Sequence, residues 1–323
     1  MDHTLTSAPQ DEADKRLDDA ARAGWLYYVA GRRQDEIATI LGVSRQSAQR
    51  LVSLAVSSGL VKVRIDHPIA RCMELGQQLR TRFGLQHVDI VPADPMSQST
   101  IVGIAEAGAA EIERCLKNPD AKIIAIGTGR TLKAAIDRLP KMDCPQHRIV
   151  SLAGNIAPDG SASFYNVIFA LADVSKARSY PMALPVVASS AEEREMLHNQ
   201  PLVAAPLKLA QSADIAFVGV GELGPGAPLH ADGFVSTAEL EELRRAGAVG
   251  EICGWAFDAQ GKIIDGLTNT RVASGTLPST KTCLVIAMAK GERKLPGIRA
   301  AIIGGLVNGL ITDETTAEAL LAP

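Results

Sequence analysis

The sequence predicts an α/β chain, with a small N-terminal winged helix-turn-helix domain followed by a mostly parallel, doubly wound sheet domain. Three observations predict it. Apolar residues make up 46% of the 323 residues and aromatics only 4%, a mix that suits helices packed closely on a buried parallel sheet. Beyond Pro68 short β-branched runs alternate with helical stretches, the signature of βαβ units. Before Pro68 the apolar spacing is helical, and a glycine turn separates two short helices. The length corresponds to roughly two domains. They fall at residues 17–66 and 70–323, with the junction between Asp66 and Ala70 where Pro68 breaks the pattern.

Residues 1–16 are polar and read as a frayed end. From Leu17 to Ala30 a helix is expected, with Leu17, Ala20, Ala21, Trp25, Tyr28 and Val29 along one apolar stripe and Gly31 stopping it. A second helix spans Gln34–Leu41 and ends at Gly42. Ser44 is a good N-cap for a third, Arg45–Ser57, which stops near Gly59. Leu60–Ile65 alternates apolar and basic residues, as a short strand or wing does. The expected strands of the second domain are His87–Val91, Lys122–Ile126, Arg148–Leu152, Leu184–Ala188, Asp214–Val220, Ile252–Phe257 and Leu284–Ala289. Helices at about 99–117 and 131–139 separate the first three. No internal repeat and no low-complexity tract is visible.

The segment 34–53, QDEIATILGVSRQSAQRLVS, has the spacing of a helix-turn-helix. Ala38 is small where a second helix must approach, and Gly42 sits where a positive φ is cheap only for glycine. Val43, Ala48 and Leu51 would lock the two helices. The outward positions Ser44, Arg45, Gln46, Ser47, Gln49 and Arg50 carry side chains that hydrogen-bond phosphates and base edges, with Arg33 nearby. Arg32, Arg33, Arg45, Arg50, Lys62 and Arg64 stand against Asp35 and Glu36, a local positive excess in a chain of net charge −3. An ordinary helical hairpin shares some of this pattern. The N-cap, the Arg/Gln face and the basic strand together favour operator DNA as a partner.

In the second domain, IGTGRTL at 126–132 reads as a strand end, a Gly-rich turn and a helix start. Such a turn either binds an anion at the helix N-terminus, with Thr128, Arg130 and Thr131 adding donors, or is a bare tight turn. A literal G-x-G-x-x-G at Gly219–Gly224 is followed by Pro225 and Pro228, so a loop and not a dinucleotide fingerprint follows that strand. Lysines in KGERK at 290–294 lie just past an apolar run, where a phosphate partner is natural. Glu251 reads equally as an acceptor for sugar hydroxyls and as an exposed carboxylate.

Several classes are set aside. The cysteines at 72, 115, 144, 253 and 283 form no C-x-x-C pair, so neither a disulfide framework nor a zinc site is expected. The six histidines show no metal spacing, and no Ser/His/Asp arrangement stands out; no metal, cofactor or catalytic residue is expected. The N-terminus lacks an apolar h-region, and no apolar run approaches the roughly 20 residues a bilayer requires. A cytoplasmic protein without a membrane partner is expected.

From about Ala20 onward the chain resembles the SorC family of bacterial sugar-sensing transcriptional regulators. The resemblance is carried by the helix-turn-helix, IGTGRTL, VSLAGN at 150–155, DIAFVGVGEL at 214–223, GAVGEICGWAFDAQG at 247–261 and KGERKLPGIRAAIIGGLVNGLITDETTA at 290–317. It implies an effector domain similar in fold to sugar-phosphate isomerases and deaminases, binding a phosphorylated sugar or sugar alcohol at the carboxyl edge of the sheet. It also implies a homotetramer, with a dimer as the alternative. The implied phosphate loop falls on Gly127, Thr128, Gly129, Arg130 and Thr131, the hydroxyl partner on Glu251 and the phosphate lysine on Lys294. Asn166, Gly219 and Glu222 are implied wall residues. Ala153-Gly154-Asn155 replaces the Gly-Gly pair common in that stretch.

Two function classes follow. The first is an effector-controlled regulator of a carbohydrate-utilisation operon. The second is a sugar-phosphate isomerase or deaminase with an added helical domain, which needs a positioned acid/base pair. Where enzymes of the resembling fold carry an Asp-Gly-His step, this chain reads Glu222-Leu223-Gly224, with His230 and Asp232 nearby at another spacing. The regulator is the expectation.

Overall fold

The computed structural model describes residues 8–61, 69–94, 101–157, 159–162, 165–224 and 226–322, with side chains described from Asp14 onward. The chain divides into two compact units, Met1–His67 and Pro68–Pro323.

Among its described residues, the first unit holds three helices, α1 (Ala8–Tyr28), α2 (Gln34–Leu41) and α3 (Arg45–Ser57). Ser44 caps α3 by accepting the Ser47 N–H at 3.1 Å, and Gly42 closes α2 at φ 65°. The core is Ala23, Ile37, Ala38, Ala48 and Val52, with Leu26, Leu41 and Leu51 packed against it. Two expectations are corrected. The buried stripe of α1 is Ala20, Ala23 and Gly24, whereas Leu17, Ala21, Trp25, Tyr28 and Val29 are exposed. The reason is steric. A Cβ on Gly24 would lie 2.9 Å from the Ala55 Cβ, so α1 approaches α3 too closely for large side chains. Val43 is likewise exposed and serves the turn through its N–H, which donates to Ala38 O at 2.9 Å. Residues 62–65 of the expected wing and 66–68 of the junction lie outside the described residues; Leu60 and Val61 are not in a strand.

Among its described residues, the second unit is built on a seven-stranded parallel sheet beside a separate two-stranded antiparallel one. It runs α4 (Ala70–Phe83), β1 (His87–Val91), α5 (Val102–Leu116), β2 (Ile123–Ile126), α6 (Arg130–Ile136), β3 (Arg148–Ser151), α7 (Val167–Ser175) and β4 (Arg178–Tyr180). Then come α8 (Ala191–His198), α9 (Pro201–Gln211), β5 (Ile215–Val218), α10 (Pro228–Ala231), α11 (Thr237–Arg245), β6 (Ala248–Ile252) and β7 (Trp255–Asp258). The chain closes with β8 (Leu284–Met288), α12 (Leu295–Ile303), β9 (Gly309–Asp313) and α13 (Glu314–Leu321). The order across the sheet is β1-β9-β8-β5-β2-β3-β4, with all pairs parallel.

Alternation along the strands decides which helices each face takes. Ile124, Ile126, Ile149, Ile215, Phe217, Ile286 and Met288 pack with α5, α6 and α7. Ala125, Val150, Ala216, Val218, Val285 and Ala287 point to the other face, with α4, α9, α12 and α13. Both faces are covered, so the strands read as continuous apolar runs.

Three strand expectations differ. Ile252–Phe257 is not one strand, because Cys253 (φ 53°) and Gly254 (φ 90°) turn the chain between β6 and β7, the two positive φ values a tight hairpin needs. Leu184–Ala188 is irregular, and its β-pairing among the described residues is by isolated bridges at Pro185 and Val187. The strands β4 and β9 were not anticipated. β4 has three residues on the sheet edge, too short for a period to show.

Candidate functional site: a cavity at the carboxyl edge of the sheet

From β2 the chain runs to β3 on one side, while β5 joins β2 on the other. The loops leaving β2 and β5 therefore part at their carboxyl ends, a topological switch point where open α/β sheets bind ligands. A cavity of about 400 Å³ lies there.

Its floor is the Gly127–Thr131 turn. Gly127 continues the ladder through its N–H to Phe217 O at 2.8 Å, and a Cβ on it would lie 3.2 Å from the Cys253 Sγ. Gly129, at φ 121°, swings the chain into α6. The first helical bond runs from Lys133 N–H to Gly129 O at 3.0 Å, so the N–H groups of Arg130, Thr131 and Leu132 precede any helical acceptor. Thr128, Gly129, Arg130 and Thr131 all line the cavity.

The β6–β7 hairpin forms a wall. Gly221 and Glu251 exchange both backbone hydrogen bonds, at 2.9 and 3.1 Å. A Cβ on Gly221 would stand 1.8 Å from Glu251 Oε1, so that glycine makes room for the carboxylate. Glu251 Oε2 accepts the Gly254 N–H at 2.8 Å. Burial pushes the Glu251 carboxyl up, opposed by that hydrogen bond and by the charge of Lys294. Lys294 is delivered by the 3-10 turn Glu292–Lys294. Burial pushes its ammonium down, and Glu251 opposes the shift.

Of the sequence-predicted effector residues, Thr128, Gly129, Arg130, Thr131, Gly219, Glu251 and Lys294 converge on this cavity. Three do not line it. Gly127 is used in the ladder beneath, and Asn166 starts α7 at φ 32° with its Oδ1 buried and unpartnered. Glu222 pairs with Arg293 Nε at 2.7 Å, tying the loop after β5 to the turn that carries Lys294. The cavity also takes in Tyr165, Asp232, Phe234 and Lys290. Lys290 lay in the singled-out KGERK run, but it is neutralised by Asp313 at 2.6 Å, both side chains being at most 10% exposed. Tyr165 and Phe234 had no local signal. No acid/base pair is assembled from the near-match: His230 Nε2 bonds Thr237 Oγ1 at 2.9 Å and does not line the cavity.

In the first unit, α3 turns Ala48, Val52 and Ala55 inward and leaves Arg45, Gln46, Gln49 and Arg50 exposed. The hydroxyls of Ser44 and Ser47 are 2.9 Å apart and serve the cap. Arg45 lies 3.1 Å from Asp35, a pair exposed enough to be worth little.

Residues 67–322 match the Sugar-bind family of sugar-binding domains. The chain is 34% identical over 310 residues to the erythritol catabolism regulatory protein EryD of Brucella abortus, covering 96% of this chain and 98% of that protein. It is also 34% identical over 320 residues to the transcriptional regulator LsrR of Escherichia coli, covering 98% of each. The full-length sorbitol operon regulator SorC of Klebsiella pneumoniae superposes with a TM-score of 0.71 at 26% identity, covering 94% of this chain and 98% of that one. The chain belongs to the SorC family of sugar-binding transcriptional regulators. As a SorC-family member it is a transcriptional regulator and not an enzyme; EryD, LsrR and SorC are each named as regulators. Among the described residues of this SorC-family chain, no helix is long and apolar enough to cross a membrane, and no group of three or more His, Cys, Asp or Glu could hold a metal ion.

Proposed function

We propose that this regulator controls a carbohydrate-utilisation operon by binding a phosphorylated sugar or sugar alcohol in the cavity at the carboxyl edge of its sheet. One observation carries the reading: Arg130, Thr131 and Leu132, whose N–H groups precede the first helical bond of α6, line the same cavity as Lys294 and Glu251. The turn Gly127–Thr131 and the two cations take the phosphoryl group. Glu251 takes the hydroxyls, and Gly219 leaves the backbone open beside it. Neither Asn166 nor Glu222 touches the effector; Glu222 instead positions Lys294 through Arg293. On the DNA side, Arg45, Gln46, Gln49 and Arg50 read the operator, Arg33 contacts phosphates, and Ser44 and Ser47 hold the helix start. The relative EryD is named for erythritol catabolism, which supports sugar alcohols within the effector class. The assembly is a homotetramer.

Calorimetry with the full-length protein tests the effector. A sugar phosphate should bind at least tenfold tighter than the same sugar without its phosphate, about 1.4 kcal/mol. Equal affinity for the two would defeat the phosphate assignment.

A further inference from the structure

We infer that Asp232 makes the cavity selective for an effector with a single phosphoryl group and hydroxyls elsewhere, against bisphosphates and phosphorylated sugar acids. The inference rests on the phosphate reading above and goes on to the rest of the molecule.

Arg130 and Lys294 face the cavity and make no ion pair among the described residues. Lys290, the third cation on its wall, is already held by Asp313 at 2.6 Å. A phosphoryl dianion takes up two positive charges. With those two engaged, a second anionic group would find no further unpaired cation among the described residues that line the cavity. It would meet Glu251 and Asp232 instead.

Asp232 is placed there by backbone, not by chance of rotamer. The short helix α10 lays Leu229 into the cavity, and its end is closed by Asp232 N–H to Pro228 O at 2.8 Å. Gly233 then reverses the chain at φ 78°, and Phe234 N–H returns to Leu229 O at 2.9 Å. The carboxylate therefore sits on a closed turn. Its side chain makes no hydrogen bond or ion pair among the described residues, although it is half-buried. A partly desolvated carboxylate without a donor is costly, and hydroxyl groups of a bound polyol are the donors that relieve it. Tyr165 lines the same cavity. Burial and the nearby Asp232 charge push its phenol up, against Arg130, so its O–H stays protonated and adds a second polar contact. Burial also pushes the Asp232 carboxyl up, while Arg130 holds it down. An added anion beside it would raise the repulsion further.

The test is calorimetry on the full-length protein with matched probes. Erythritol 4-phosphate, ribose 5-phosphate, fructose 6-phosphate and sorbitol 6-phosphate form one group; fructose 1,6-bisphosphate and 6-phosphogluconate form the other. The best monophosphate should bind at least about tenfold tighter than either doubly anionic probe. Asp232→Asn keeps the size and removes the charge, and should narrow that ratio by about tenfold or more. Asp232→Glu keeps the charge and should keep the ratio. The inference fails if wild-type protein binds a doubly anionic probe as tightly as the best monophosphate, or if Asp232→Asn leaves the ratio unchanged. A different result, in which unphosphorylated erythritol or sorbitol binds as tightly as its phosphate, overturns the phosphate reading itself and this selectivity with it.

Discussion

Lys294 reaches the cavity from a three-residue turn, and burial removes solvation from its ammonium that only a carboxylate or a bound anion restores. Losing a charge-assisted contact costs about 1.5–3 kcal/mol. Lys294→Ala should therefore weaken binding of a sugar phosphate by roughly ten- to 150-fold, measured by calorimetry, with far less effect on the unphosphorylated sugar. A different pair governs stability. Lys290 and Asp313 are buried together, and burial alone would push the Asp313 carboxyl up. Hydrogen bonds from Lys290 and Thr316 instead hold it below the usual aspartate range. With the folded pKa depressed, this stabilisation is complete at neutral pH and is lost as pH falls through the folded value. Lys290→Met strands the carboxylate and should lower stability by about 3–5 kcal/mol in urea titrations at pH 7. The loss should shrink in acid as Asp313 protonates; an equal loss at pH 7 and at pH 3 would contradict the account. Among single residues, Glu251 and Lys294 could be picked out of the sequence because they lie in dense motif segments. Asp232 showed in the sequence only as a misspaced near-match to an enzyme step, and Tyr165 showed no signal at all.

At the scale of elements, α3 is the part whose function can be tested alone. Its Ser44 cap satisfies one of the unpaired N–H groups at the helix start. Ser44→Ala should cost about 1 kcal/mol of stability in the N-terminal unit, read by its thermal transition. Arg45 and Gln46 occupy the first turn, the part of a recognition helix that enters the major groove. Either change to Ala should remove roughly 1–3 kcal/mol of discrimination between operator bases, and footprints identical to wild type for both variants would dismiss them as readers. The sequence shows α2 and α3 to the residue because caps and glycine stops are local signals. It does not show the hairpin β6–β7, where the turn uses a cysteine at positive φ. It also misassigns the buried stripe of α1. Large apolar side chains outrank alanine and glycine in any periodicity count, but close helix packing selects the small ones.

At the scale of the molecule, one helix-turn-helix covers too little of an operator for tight binding, so two units must reach half-sites about one helical turn, or a multiple of it, apart. The proposed tetramer supplies them. Light scattering of the full-length protein at micromolar concentration should give four chains, and a stable monomer with full operator affinity would refute it. The sequence by itself determined the division near Pro68, the helix-turn-helix, the parallel α/β class and the turn that begins at Gly127. Each of these is written in spacings of a few residues: a cap, a stop, a run of β-branched side chains, a glycine after a strand. Tertiary structure alone decided which strands neighbour one another. From that followed the place where the loops after β2 and β5 part, the seat of Glu251 over Gly221, and the ion pairs that occupy Glu222 and Lys290. The physical reason is range. A switch point and an ion pair between residues 71 positions apart, as Glu222 and Arg293 are, depend on where a sheet folds the chain back, and no local pattern encodes that distance.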